Sequence, residues 1–135
     1  MIKATTELLN RIATHEAGHA VVAHVAGLRV AYVDLYEART LVHDSESRYA
    51  MQAFCMGGWA AQEVMGIHDT EETLHKSTDY CQGMNDSLYT QFTNEQAIEY
   101  ATRIVEEHKD QLVILRDKLL AQGYLDPADI KGVLK

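Results

Sequence analysis

The distribution of apolar residues along the chain predicts a mostly helical protein. From about Thr5 to Ala26 apolar side chains recur at helical spacing, and Gly27 follows where such a helix would end. A second pattern of this kind begins at Thr93, which forms a capping box with Gln96, and ends at Gly123. We expect one long helix there. Its apolar stripe contains Ile98, Ala101, Val105, His108, Leu112, Leu115 and Leu119.

One segment has the residue pattern of a β-strand. Within Leu28–Tyr36, successive side chains alternate between two sets, and many of them are β-branched or aromatic, which favours a strand. A short partner strand is expected within Thr40–His43. The sequence therefore predicts a single domain over residues 1–135. Its fold class is mostly α, with helices packed on one another and a small β-strand element.

A helix is also expected between these strands and the long C-terminal helix. Asp44 or Ser45 can cap it, and it runs to about Met65. Gly57 and Gly58 lie inside it and should each cost about 1 kcal/mol relative to alanine. We therefore expect another backbone to approach the helix at this glycine pair. Two weaker or shorter helices are expected to begin at Ser77 or Thr78 and at Asp126-Pro127.

His15, Glu16 and His19 form the pattern HExxH within the first predicted helix. Four residues advance a helix by about 400°, so the two imidazoles share one face about 6 Å apart along the axis. Both can then reach one metal ion at about 2.0 to 2.1 Å, the distance typical of zinc. Glu16, rotated about 100° from His15, flanks the ion where a general base can take a proton from water. The spacing therefore predicts a Zn²⁺ site with Glu16 as the catalytic base.

A catalytic zinc ion needs a third protein ligand beside the two histidines. A helix that packs on the first helix could bring any of several acidic or imidazole side chains close to it. The residue pattern leaves four candidates, which are His75, Asp79, Asp86 and Glu63. Among the other histidines, His24 and His108 fall on apolar stretches and are expected to be packed, whereas His43 and His68 are expected to be exposed.

Composition and charge restrict the partners. The chain has 47% hydrophobic residues, and 12 Lys and Arg against 20 Asp and Glu give a net charge of −8. This balance argues against nucleic acid and anionic membranes as partners. The apolar run Ala20–Leu28 is far shorter than the roughly 20 residues that a bilayer requires, so we expect no membrane span and a cytoplasmic location. Cys55 and Cys81 are expected to be ordinary thiols.

The run HEAGHAVVAHVAG at residues 15–27 resembles the peptidase domain of the FtsH-family AAA zinc metalloproteases. Residues 56–63, MGGWAAQE, are similar to the family's glycine pair followed by Arg-Ala-Ala-Glu-Glu. Residues 76–79, KSTD, are similar to its Ala-Ser-Asn-Asp, and residues 97–134 resemble its closing helices. The resemblance covers nearly the whole chain. It implies that Asp79 is the third zinc ligand. Asp86, which follows an Asn as the family's aspartate does, is the alternative.

The sequence also departs from the family pattern. Trp59 stands where the family has Arg, the segment between the glycine pair and Asp79 is longer, and this sequence contains no AAA ATPase or transmembrane segment. The resemblance thus implies a free-standing zinc endopeptidase that acts on flexible or unfolded polypeptides, and it is compatible with a homo-oligomer. The alternatives are a catalytically silent zinc-binding regulatory or interaction domain, and a module that acts only with a separate ATPase partner. The strand Val30–Tyr36 is expected to accept a peptide by edge addition.

Overall fold

The computed structural model describes residues 2–67 and 93–134, and their architecture is mostly helical with a small sheet, as predicted. Among these residues, no helix is long and apolar enough to cross a membrane. The helices are α1 (Ile2–Val25), α2 (Arg48–Val64), α3 (Asn94–Glu107), α4 (Lys109–Gln122) and α5 (Pro127–Val133). The strands are β1 (Val30–Asp34), β2 (Arg39–Val42) and β3 (Tyr124–Leu125).

The backbones of α1 and α2 are in close contact at their glycines. A Cβ atom added to Gly57 would lie 2.8 Å from the carbonyl oxygen of Gly18 and 3.0 Å from the Cα atom of His19. A Cβ atom added to Gly18 would likewise lie 2.5 Å from the carbonyl oxygen of Gly57. The predicted backbone approach at the glycine pair is therefore confirmed, and the approaching helix is the one that carries HExxH.

The prediction of one long helix near the C-terminus is wrong, because the structure has two helices there, α3 and α4, with His108 between them. His108 has φ −116° and ψ 26°, outside helical geometry, and its backbone N–H donates to the carbonyl oxygens of Ile104 and Val105. Its ring Nδ1 also lies 2.9 Å from the carbonyl oxygen of Ile104. The carbonyl oxygen of Ile104 therefore accepts from both the backbone and the ring of His108. The apolar stripe still continues past the break, since Leu112, Leu115 and Leu119 are fully buried.

The sheet has the strand order β2-β1-β3, and both strand pairs are antiparallel. The expected strand and its short partner are confirmed as β1 and β2. The sequence analysis missed β3, which has only two residues and pairs with β1 through Val33 and Asp34. Because β1 lies in the centre of the sheet, the expectation that it accepts a peptide by edge addition is wrong.

The predicted helix caps lie at or near the expected residues, whereas the predicted packing of His24 does not agree with the structure. The N-cap of α2 is Ser47, slightly later than expected, and its hydroxyl accepts a hydrogen bond from the N–H of Ala50. The capping box at Thr93 and the cap of the terminal helix at Asp126 are confirmed. His24 is exposed, so its predicted packing is wrong, because the last turn of α1 turns this side chain to solvent.

Other side chains lie where they were expected. Cys55 is buried, His108 is half-buried with a hydrogen-bond partner, and His43 is exposed. The helix expected at Ser77 or Thr78, together with His68 and Cys81, lies outside the described residues.

Candidate metal centre

His15 and His19 face each other on α1 with their Nε2 atoms 3.1 Å apart. Their ring centroids are 4.7 Å apart and the rings are nearly perpendicular, at 77°. Two nitrogen ligands of a tetrahedral zinc ion, each at about 2.05 Å, are separated by about 3.3 Å. The observed separation is close to that of two ligands of one ion, so the helical spacing in the sequence predicted the pair correctly.

The opposite nitrogen of each ring bonds to an oxygen of α2. The Nδ1 atom of His15 lies 2.5 Å from the side-chain oxygen of Gln62, and the Nδ1 atom of His19 lies 2.7 Å from the carbonyl oxygen of Phe54. Both oxygens are acceptors, so each Nδ1 is the donor and carries the proton in the neutral ring. Each Nε2 then presents a lone pair, which is the tautomer that a metal ion needs.

The chemistry of this donor set fits a metal ion. Two Nε2 atoms that both lack a proton repel each other across 3.1 Å, and a cation that binds both lone pairs removes this repulsion. His15, Glu16 and His19 form a group whose ligand atoms all lie within 4.8 Å of one another, close enough to hold a metal ion. Among the described residues no other such group occurs.

Glu16 is held beside the histidine pair by the sheet. Its carboxylate accepts a hydrogen bond of 2.8 Å from the hydroxyl of Thr40 on β2, and that hydroxyl also lies 3.0 Å from the backbone oxygen of Glu16. Only 5% of Glu16 is exposed, an unusual position for a carboxylate. The structure thus places the predicted base next to the predicted ligands and fixes it through β2.

Gly58 leaves the space that the ring of His15 occupies. A Cβ atom at this position would lie within 2.6 Å of the ring atoms Cε1 and Cδ2 of His15, and closer still to Nε2. Real Cβ atoms are not found this close to other heavy atoms. The two glycines of α2 therefore have different roles, because Gly57 admits the backbone of α1 and Gly58 admits a candidate ligand.

The sequence analysis gave no role to Gln62 or Thr40. Gln62 is only 3% exposed, and its amide nitrogen lies 3.4 Å from the carbonyl oxygen of Ile67, which orients the amide oxygen toward His15. One signal was available for Gln62, since it follows Gly58 by one helical turn and so shares its face of α2. Nothing in the sequence pairs Thr40 with Glu16, because that contact depends on how β2 lies against α1.

Of the four candidates for a third ligand, the structure describes only Glu63. His75, Asp79 and Asp86 lie outside the described ranges. Glu63 is described, but it is exposed and does not belong to the group formed by His15, Glu16 and His19. The structure does not bring Glu63 to the histidine pair, since its neighbour Gln62 occupies the face of α2 that meets the histidines.

No protein-family model matches the chain, and no curated protein is significantly similar to it. The resemblance to FtsH-type peptidases accordingly stays a prediction. Class and chemistry have to be inferred from the geometry of the histidine pair and its surroundings.

Proposed function

We propose that this protein is a zinc-dependent endopeptidase that hydrolyses flexible or unfolded polypeptides. The observation that carries the proposal is the arrangement of the metal centre, in which the Nε2 atoms of His15 and His19 face each other beside the buried carboxylate of Glu16. A structural zinc site would not need that carboxylate. Its presence favours catalysis over a silent regulatory or interaction domain.

Imidazole ligands suit zinc among the common metals, and the described part of the centre contains no thiolate. When bound, a zinc ion supplies Lewis acidity that polarises a carbonyl group and makes water easier to deprotonate. His15 and His19 would hold the ion, and by the resemblance Asp79 would be the third ligand.

Glu16 performs the proton transfers in this proposal. Its carboxylate takes a proton from the attacking water and then delivers a proton to the amine of the leaving peptide. The hydroxyl of Thr40 donates to one carboxylate oxygen, which orients the group while the second oxygen stays available. Because the bond from Thr40 holds a carboxylate that is 5% exposed, Glu16 is positioned before a substrate arrives.

The sheet supports a preference for unfolded chains. β2 is at one edge of the described sheet, and it carries Thr40, which contacts the base. An extended peptide that pairs with the free side of β2 would run past Glu16. Only a chain whose backbone is not engaged in its own secondary structure can pair in this way, so we propose flexible or unfolded substrates.

The first test replaces Glu16 by Gln. This change keeps the shape of the side chain and its contact with Thr40 but removes the group that accepts a proton. We expect zinc content to stay at one ion per chain while hydrolysis of an unfolded protein falls by about 10² or more. Thr102→Val, a substitution on α3, is the control and should leave turnover unchanged. Equal turnover of the Glu16→Gln and unmodified proteins would show that Glu16 is not the base.

A second test concerns the third ligand. Asp79→Ala should weaken zinc affinity strongly, because it removes a carboxylate bonded to the ion, whereas Asp86→Ala should leave the affinity unchanged. The measurement is a competition titration with a chelator of known zinc affinity. Loss of zinc in Asp86→Ala alone would reverse the assignment and make Asp86 the ligand.

A further inference from the structure

A second concavity lies where the end of α1, the start of β1, the end of β2 and α5 meet, and its volume is about 500 Å³. We call it the anion pocket. Among the described residues, every titratable side chain that lines it is basic, although the chain as a whole carries 20 acidic and only 12 Lys and Arg residues. These side chains are His24, Arg29, His43 and Lys131.

The basic side chains of the anion pocket have no bonded partner among the residues that the structure describes. Some basic side chains elsewhere in the described residues pair with acids, as Arg103 does with Glu99 and Lys118 with Asp129. Arg29 and Lys131 are exposed, and within the described ranges neither side chain has a hydrogen bond or an ion pair. Their charges therefore converge on the concavity without compensation, which favours an anion there.

The rest of the lining is apolar. Leu28 and Ile130 are buried, with 6% and 3% of their surface exposed, and Val30 and Pro127 complete this part of the wall. Small-molecule sites typically combine an apolar lining with a few polar groups, within a volume of about 300 to 1,000 Å³. The anion pocket has this combination, so it is suited to an organic anion more than to an inorganic ion alone.

We propose that the anion pocket binds a small organic anion. Its phosphate or carboxylate group lies between Arg29 and Lys131, and its apolar body lies against Leu28 and Ile130. The guanidinium of Arg29 can donate two parallel hydrogen bonds to either kind of anionic group, and the ammonium of Lys131 adds a second charge. His24 and His43 add donors at the rim.

The anion pocket is separate from the metal centre. His24 follows His19 by five positions on α1, which places it about 7.5 Å further along the axis and about 140° around it. The proposal therefore does not depend on the proposed peptidase activity, and a bound anion need not contact the metal ion.

The experiment compares three ligands that share one aromatic ring, namely phenyl phosphate, benzoate and phenol. Each is titrated into the 135-residue protein while the backbone amide NMR signals of residues 28–30 and 130–131 are followed. Because these residues line the anion pocket, their signals distinguish an anion bound there from one bound at the metal centre. We expect one or both anions to shift these signals saturably and phenol to leave them unchanged. The stronger of the two anions identifies the chemical source. Raising the salt concentration should weaken the binding.

Arg29→Gln and Lys131→Gln should each weaken anion binding by about tenfold, because each removes a charge-assisted hydrogen bond. Arg103→Gln removes an exposed positive charge elsewhere and should leave the affinity unchanged. All three positions are exposed, and the melting temperature of each variant shows whether it remains folded. Equal binding of phenol and the anions would overturn the proposal. So would unaltered anion affinity in the Arg29→Gln, Lys131→Gln double variant.

Discussion

Gln62 and the carbonyl group of Phe54 determine which nitrogen of each histidine is available to a metal ion. A free imidazole exchanges its proton between Nδ1 and Nε2, and only the ring protonated at Nδ1 presents Nε2 as a ligand. Because Phe54 contributes its backbone, its acceptor does not depend on the residue type. Gln62 contributes a side chain, so this half of the arrangement can be changed by mutation.

We expect Gln62→Leu to weaken zinc affinity by about 10- to 100-fold, because His15 loses the acceptor that fixes its tautomer and ring orientation. Gln62→Glu keeps an acceptor oxygen of similar reach and should retain the affinity. Both variants are measured by chelator competition. Equal affinities for Gln62→Leu and Gln62→Glu would contradict a positioning role for this side chain.

At the level of helices and strands, the candidate metal centre depends on the close contact between α1 and α2. α1 supplies both histidines, and α2 supplies both Nδ1 acceptors, so the rings are fixed only while the helices stay in register. The close approach is possible because Gly18 and Gly57 have no side chains. The glycines that are unfavourable for an isolated helix are thus required by the packing of two helices.

Gly58→Ala tests this contact directly. The added methyl group would overlap the ring of His15, so the ring must rotate or the helices must separate. We expect zinc affinity to fall at least tenfold and the protein to lose about 1 to 3 kcal/mol of unfolding free energy, as in other overpacked interiors. The measurements are chelator competition and urea denaturation.

Gly132→Ala is the matched control for this prediction. Gly132 lies within α5, and a Cβ atom there would meet nothing within 4 Å. The substitution should leave zinc affinity unchanged and stabilise the protein by up to about 1 kcal/mol, because alanine favours a helix. If both variants lost the same affinity, the overlap with His15 would not be the cause.

The sequence predicts local features of this fold better than contacts between distant segments. The helix of HExxH, the caps at Thr93 and Asp126, and the backbone approach at Gly57 all follow from spacing or from residue type within one segment. The break at His108 was not predictable, because the apolar stripe continues across it. β3 was missed because two residues carry no periodic pattern.

In the candidate site, too, the sequence predicts what lies within one segment better than contacts between distant segments. The two histidines and Glu16 belong to one helix, so helical geometry alone brings them together. Thr40 reaches Glu16 from β2 across 24 positions of sequence, and Gln62 reaches His15 across 47. Such pairs depend on the packing of elements, which no single segment encodes.

On the scale of the whole molecule, the hydrophobic core does not depend on the metal centre. Fully buried side chains from α1, β1, α3 and α4 pack together, among them Val21, Val33, Val105 and Leu112. The candidate metal ligands His15 and His19 are contributed by α1 and supported by α2, which already share this core. A metal ion would therefore bind to a framework that folds without it.

This arrangement predicts how metal removal affects stability. The protein treated with a chelator should keep its helical circular dichroism and unfold cooperatively, because its core is intact. Added zinc stabilises only the folded state, and at about 1,000 times its dissociation constant it contributes about 4 kcal/mol, which corresponds to a rise in melting temperature on the order of 10 °C.

The rise should disappear in His15→Ala and His19→Ala and persist in His43→Ala, which removes an exposed histidine away from the metal centre. Thermal unfolding followed by circular dichroism, with and without zinc, measures all four proteins under the same conditions. A zinc-dependent rise of equal size in His15→Ala would place the ion elsewhere in the chain. Complete loss of helical structure on chelation would instead show that the core cannot form without the metal, because the packing of α1 on α2 would then depend on the ion and not on the glycine contact.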